Sequence, residues 1–298
     1  MISLLLAGAL AAAPATSRYQ VTVHPLPGRQ AGAESLALRM RGLLEALEAA
    51  YLGFWSGTVT RGRLPDAVRV ELFEDPHALR ERLAAFGAGT LTYEAGGAFI
   101  RHSHTDPPTL LVLAASPLER INAANLVHEA AHMLNHAVLG DALSPWLNEG
   151  MAGFCQYSAI GQEGEILLGR LDPGSAITVT QGGQRVTHRF EPARSLSYLS
   201  GQFASDSKLS VAPMMRVSAP DAFYRTNAQL HYAASWTLVH LLAEGSVRAA
   251  GGRLRPQLMR YAALEQQGRG GVEALLALLQ IPLEDLDYAW FRHVRKLE

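Results

Sequence analysis

Apolar and polar positions repeat along the first third of the chain with two different periods. Residues 19–23 (Tyr-Gln-Val-Thr-Val) and residues 68–73 (Val-Arg-Val-Glu-Leu-Phe) alternate with the period of two that is typical of half-buried strands. A long segment near residues 33–55 repeats its apolar residues at helical spacing. Residues 93–100 and 109–115 are predicted as two further strands, joined by a Pro-containing turn. These elements predict an N-terminal α/β lobe with a mixed sheet.

Two helices with clear start signals are predicted in the middle of the chain. For the first, Ser116 is the expected N-cap, Pro117 the first helical residue and Glu119 the partner of a capping box, and Gly140 is placed to end the helix. For the second, we expect Ser144 at the N-cap and Pro145 at the first position, with Gly161 as a possible end.

The C-terminal half is predicted to be mainly helical. Residues 172–184 carry Pro and Gly and are interpreted as a loop or hairpin rather than a linker between domains. Tyr232 is expected to start a helix in which Ser235, Trp236 and Val239 share its face. The whole pattern predicts an α+β fold: one bilobal domain over residues 16–298, with an α/β lobe at 16–140 and a second lobe at 141–298.

Composition and charge narrow the classes of function. The net charge of −1 and the lack of a Lys/Arg stripe argue against a nucleic-acid partner. Residues 1–15 are typical of a secretory signal, with an apolar segment too short to span a bilayer and a cleavage site after Ala15, although a buried N-terminal helix is the alternative. No later stretch predicts a membrane span. With the predicted signal peptide, this leads us to expect an exported protein, periplasmic or secreted. Cys155 is the single cysteine, which rules out an intramolecular disulfide and favours a small buried apolar role.

The most specific motif is His128-Glu129-Ala130-Ala131-His132, which lies inside the first of the two predicted helices. Residues four apart share one helix face, so both imidazoles can bind one zinc ion, and Glu129 is placed to act as a general base on water. The alternative is a core helix whose two histidines make ordinary hydrogen bonds. Catalytic zinc sites usually need a third protein ligand.

Two residues are candidates for the third ligand. His136 continues the series, but the helical rise from His128 to His136 is about 12 Å, which is too far for one ion. Glu149 lies in the first turn of the second predicted helix, and a short loop favours antiparallel packing of the two helices, which would return it to the histidines. A solvated glutamate at a helix N-terminus is its alternative interpretation. His102 and His104 are a weaker candidate metal pair, for which an exposed loop is preferred.

The chain resembles the gluzincin branch of zinc metallopeptidases in two segments. One is the zinc motif followed by Trp146-Leu147-Asn148-Glu149-Gly150, and the other is residues 232–240 (Tyr-Ala-Ala-Ser-Trp-Thr-Leu-Val-His). The chain is most similar to bacterial proteins of the peptidase-MA-like group and of the domain of unknown function 1570. The likeness covers most of the chain, but only the zinc motifs are highly specific.

This resemblance implies a zincin-like, thermolysin-like fold with Zn²⁺ bound by His128, His132 and Glu149, and with Glu129 as the general base. It also implies a side chain, usually a tyrosine, that donates a hydrogen bond to the oxyanion of the tetrahedral intermediate. Tyr232 is the preferred donor, and Tyr224 and His231 remain alternatives. An edge strand that pairs with an extended peptide is expected at residues 94–99, with a peptide or protein as the substrate. The Gly-x-Met-Glu-Asn phrase of the aminopeptidases is absent, which argues against an exopeptidase. A secreted zinc-binding module without turnover is the alternative function. The sequence leaves the oligomeric state open.

Overall fold

The structure is a computed structural model that describes most of the chain. The described residues are 17–57, 64–87, 96–101, 107–116, 119–161, 163–171, 177–181, 184–188, 191–205, 209–247 and 250–298. The predicted signal peptide, Pro117, and the pair His102 and His104 lie outside these residues, so those interpretations stay predictions.

The described residues form both strands and helices, as expected of an α+β protein. The strands are β1 (Tyr19–His24), β2 (Val68–Phe73), β3 (Gly97–Ile100), β4 (Thr109–Leu113), β5 (Ser158–Ile160), β6 (Ile166–Leu171), β7 (Ile177–Gln181), β8 (Gln184–His188), β9 (Ser246–Val247) and β10 (Gly252–Arg253). The helices are α1 (Ala33–Phe54), α2 (Pro76–Ala85), α3 (Glu119–Leu139), α4 (Pro145–Gln156), α5 (Glu191–Ser205), α6 (Ala212–Met215), α7 (Pro220–Arg225), α8 (Ala228–Glu244), α9 (Arg255–Gln266), α10 (Val272–Leu279) and α11 (Leu283–Leu297).

A four-stranded mixed sheet holds the N-terminal strands in the order β1-β2-β4-β3. Strand β2 pairs in parallel with β1 and β4, whereas β3 is antiparallel to β4, with Gly97 opposite Val112 and Ile100 opposite Thr109. The predicted α+β class with a mixed sheet is therefore confirmed. Strand β3 stands at one end of the order, and the part of its prediction before residue 96 lies outside the described residues.

The chain divides into two compact units, of which the first comprises residues 1–54, 62–138 and 160–167. In this unit α2 packs Leu79 and Leu83 against Phe73 and Leu111 on one face of the sheet. Helices α1 and α3 are joined by a hydrogen bond that the Tyr51 hydroxyl donates to Asn135 Oδ1 at 2.5 Å, and Asn135 is fully buried. A buried polar group needs such a partner, so this bond fixes the position of α3 in the unit.

The second unit comprises residues 55–61, 139–159 and 168–298, and its central contact is between α4 and α8. Two glycines let these helices approach closely. A Cβ on Gly150 would lie 2.6 Å from Val239 Cγ2 and 2.7 Å from the Ser235 carbonyl oxygen, and one on Gly153 would lie 2.7 Å from Trp236 Cβ. The spacing of Ser235, Trp236 and Val239 in the sequence therefore serves packing onto α4.

Alanine substitution at Gly150 or Gly153 is expected to destabilise the protein by about 1–3 kcal/mol, because overpacking outweighs the better helix propensity of alanine. The matched control is Gly201→Ala in α5, where an added Cβ meets nothing within 4 Å. That substitution should be neutral or stabilising. Urea unfolding of the three variants measures the difference, and equal midpoints for all three would contradict the close α4–α8 packing.

Several predicted boundaries are confirmed and two are wrong. Helix α3 ends before Gly140, which has a φ of 86°, as its predicted stop role requires. Helix α4 has Ser144 at its N-cap as predicted, but it ends at Gln156 and not near Gly161. The chain enters β5 instead, where the Ser158 hydroxyl donates to the Phe154 carbonyl and accepts the N–H of Gly169 on β6.

The other differences lie in the C-terminal half. Tyr232 does not start its helix, since α8 already begins at Ala228. The hairpin interpretation of residues 172–184 is confirmed where the structure describes the chain, because β7 and β8 pair antiparallel with Gln181 opposite Gln184. Among the described helices, none has the length and apolar character needed to cross a membrane.

Candidate metal centre

Helix α3 brings the two histidines of the motif to one point. The Nε2 atoms of His128 and His132 lie 3.2 Å apart, with the ring centroids 4.8 Å apart and the rings nearly perpendicular. A tetrahedral zinc ion with Zn–N bonds near 2.0–2.1 Å places two ligand nitrogens about 3.4 Å apart. The histidine pair is therefore spaced as a zinc site requires.

Glu149 completes a group of three possible ligands. One possible ligand atom from each of His128, His132 and Glu149 lies within 4.8 Å of the other two. Among the described residues, this is the group of three or more His, Cys, Asp or Glu side chains that could bind one metal ion. His136 is not a member of the group, and its Nε2 lies 2.5 Å from an Arg101 guanidinium nitrogen instead.

Glu129 occupies a buried position beside the edge strand. Its side chain is 8% exposed, and a Cβ added to Gly97 of β3 would lie 2.7 Å from Glu129 Cγ and 2.5 Å from the Leu111 carbonyl oxygen. Only a residue without a side chain fits between the sheet and Glu129. Gly97 thus allows the backbone of β3 to run directly against the predicted base.

Glu149 is held at the start of α4, where it is only 3% exposed. The N–H of the cap residue Ser144 donates to Glu265 Oε2 at 2.7 Å, and Tyr261 donates to the other oxygen of that carboxylate. Because the dipole of a helix favours negative charge at its N-terminus, the buried Glu265 stabilises the first turn of α4. Glu149 Oε1 in turn accepts a hydrogen bond from the Tyr224 hydroxyl at 2.6 Å.

The three candidate oxyanion donors occupy different environments. Tyr224 and Tyr232 are 41% and 37% exposed, with ring centroids 6.1 Å apart. His231 is buried, and its Nδ1 lies 2.7 Å from the carbonyl oxygen of Phe223. A carbonyl only accepts, so His231 donates its Nδ1 proton to the backbone, and its buried ring is less accessible than the two tyrosines. His231 is therefore a poor oxyanion donor.

Cys155 lies in α4 with 1% exposure, and burial raises the pKa of its thiol above the ordinary range. This burial agrees with its predicted role as a small buried apolar residue.

No family model matches the chain, and no curated protein matches it either. The chemical interpretation therefore depends on the motif and on the geometry of the site.

Proposed function

We propose that the chain is a zinc-dependent peptidase of the gluzincin type. The observation that carries the proposal is the spacing of the two histidines on α3, whose Nε2 atoms are 3.2 Å apart, and Glu149 is the candidate third ligand. Two imidazoles and one carboxylate are a donor set of catalytic zinc sites, which keep a fourth position for water. In such a site, bound zinc lowers the pKa of water towards neutrality.

Glu129 is the proposed general base. It follows His128 directly on α3, the position that the general base has in the His-Glu-x-x-His motif of zinc peptidases. It accepts the proton of the attacking water and then passes that proton to the leaving nitrogen of the peptide. Its burial beside Gly97 limits the positions that the carboxylate can adopt.

Tyr232 is the proposed donor to the oxyanion, a role worth several kcal/mol in other hydrolases. Its half-exposed position leaves it accessible to a substrate. The substrate is proposed to be an extended peptide that pairs with β3 as an added strand. Strand β3 stands at the end of the strand order, and its backbone runs against Glu129. Export after removal of residues 1–15 belongs to the same proposal.

Elemental analysis of the purified protein is the first test, with one zinc per chain as the expected result. The second test is cleavage of a peptide library with and without a chelator, where chelator-sensitive cleavage is expected. Protein without stoichiometric metal would overturn the zinc site. Protein that holds zinc and binds peptides without cleaving them would be the binding module instead.

A further inference from the structure

The hydrogen bond between Tyr224 and Glu149 suggests a role that the zinc motif itself does not specify. We infer that Tyr224 is a positioning residue that holds the Glu149 carboxylate for the metal, and that it is not the donor to the oxyanion. The inference rests on the proposed zinc site. Its support is the 2.6 Å contact from the Tyr224 hydroxyl to Glu149 Oε1, which lies within the second unit.

Helix α7, which carries Tyr224, is itself anchored. Phe223 is fully buried, and its carbonyl accepts the 2.7 Å hydrogen bond from His231 Nδ1 on α8. The Phe223 ring also contacts the rings of Tyr224 and His231, with centroids 5.6 Å and 4.8 Å away. The backbone next to Tyr224 is thus fixed to α8, and α8 packs against α4, which carries Glu149.

A fixed phenol changes what Glu149 can do as a ligand. A carboxylate has two oxygens, and a ligand that binds zinc through one of them leaves the other for a hydrogen bond. Such a hydrogen bond selects one orientation of the carboxylate, so less conformational freedom is lost when the metal binds. Tyr224 and a zinc ion can therefore bind the same carboxylate at the same time.

The same contact separates the roles of the two tyrosines. A phenol has one O–H and can donate one strong hydrogen bond. Tyr224 already donates to Glu149, so donation to an oxyanion would require it to release the carboxylate. This leaves Tyr232, whose ring lies 6.1 Å from that of Tyr224, as the candidate for the oxyanion.

The test is the zinc dissociation constant, measured by competition with a chromophoric chelator on the full chain. We expect Tyr224→Phe to weaken zinc binding 10- to 100-fold, the usual effect of removing a hydrogen-bond partner of a metal ligand. Tyr232→Phe is the matched control, since it removes the same hydroxyl from a neighbouring ring of similar exposure. Its zinc affinity should stay within about twofold of the wild type. Cobalt substituted for zinc should show a changed visible spectrum in Tyr224→Phe and an unchanged one in Tyr232→Phe.

A double-mutant cycle separates positioning from a general structural effect. In a Glu149→Ala background the hydroxyl of Tyr224 has no carboxylate to hold, so adding Tyr224→Phe should cause no further loss of zinc affinity. Equal losses in both backgrounds, or unchanged affinity in Tyr224→Phe alone, would overturn the inference and leave the zinc site standing. If the wild type itself binds no stoichiometric zinc, the proposed function fails and the inference fails with it.

Discussion

Glu129→Gln should abolish most turnover and leave the zinc content of the protein unchanged. Glutamine has the shape of glutamate but cannot accept the proton of the attacking water. General-base catalysis contributes about 10²–10⁴-fold in rate, so we expect kcat/KM to fall by about 10³-fold. The side chain is 8% exposed, and Gly97 bounds the space around it, so the amide should keep the position of the carboxylate.

The measurement pairs cleavage of the best library peptide with elemental analysis of the same sample. Glu273→Gln is the control, because that glutamate is 79% exposed in its side chain and pairs with Arg216, a contact worth little at the surface. It should keep wild-type activity. A Glu129→Gln protein with full activity and full zinc would disprove the role of Glu129.

Acidification should lower the free energy of unfolding by about 3 kcal/mol, because it protonates a buried histidine pair outside the proposed site. His240 Nε2 lies 2.9 Å from the Gly169 carbonyl oxygen, so it carries the proton and donates, and His240 Nδ1 accepts from His293 Nε2 at 2.9 Å. Both rings are neutral in this arrangement. Burial lowers the pKa of His240. Burial, with smaller electrostatic contributions from His240 and Lys296, lowers the pKa of His293 to about 4.

The direction of the pH effect follows from these shifts. A histidine in the unfolded chain has a pKa near 6.5, so between pH 6.5 and about 4 the unfolded state binds more protons than the folded state. The stabilisation is therefore complete above about pH 7 and is lost as the pH falls through 6.5 towards 4.

Urea unfolding at pH 7.5, 6.0 and 5.0 measures this loss, with chelator present throughout so that protonation of metal ligands does not contribute. His293→Gln keeps a donor to His240 but removes the titrating group, so its stability should depend less on pH than that of the wild type. His77→Gln, at a position with a 66% exposed side chain, should retain the wild-type slope. Parallel profiles for the wild type and His293→Gln would show that the pair does not titrate as proposed.

Local sequence signals predicted the parts of the site that depend on local structure. Helical spacing predicted that His128 and His132 would share one face, and Gly140 and Ser144 marked the end of α3 and the start of α4. These features depend on hydrogen bonds and backbone angles within a few residues, so one sequence is sufficient to predict them.

The contacts that position the site were not predictable in the same way. The need for glycine at residue 97 arises because β3 runs against Glu129, more than thirty residues later in the chain. Tyr224 was named only as a possible oxyanion donor, because nothing local indicates that it would reach a carboxylate 75 residues away. His240 and His293 are 53 residues apart, and the phrase that ends at His240 gives no sign of a contact with His293. Such contacts depend on tertiary packing, which periodicity does not encode.

Cys155 is a natural site for chemical labelling of α4, the helix that carries Glu149. It is the only cysteine of the chain and is 1% exposed, and burial raises the pKa of its thiol, so the folded protein presents almost no reactive thiolate. A thiol reagent then reacts only when α4 opens away from its neighbours, and the rate of labelling reports the free energy of that opening. A metal ion that binds only the closed state makes opening rarer and slows the labelling. The labelling rate of Cys155 therefore also reports metal binding at Glu149, six residues earlier on the helix, without the need for a substrate.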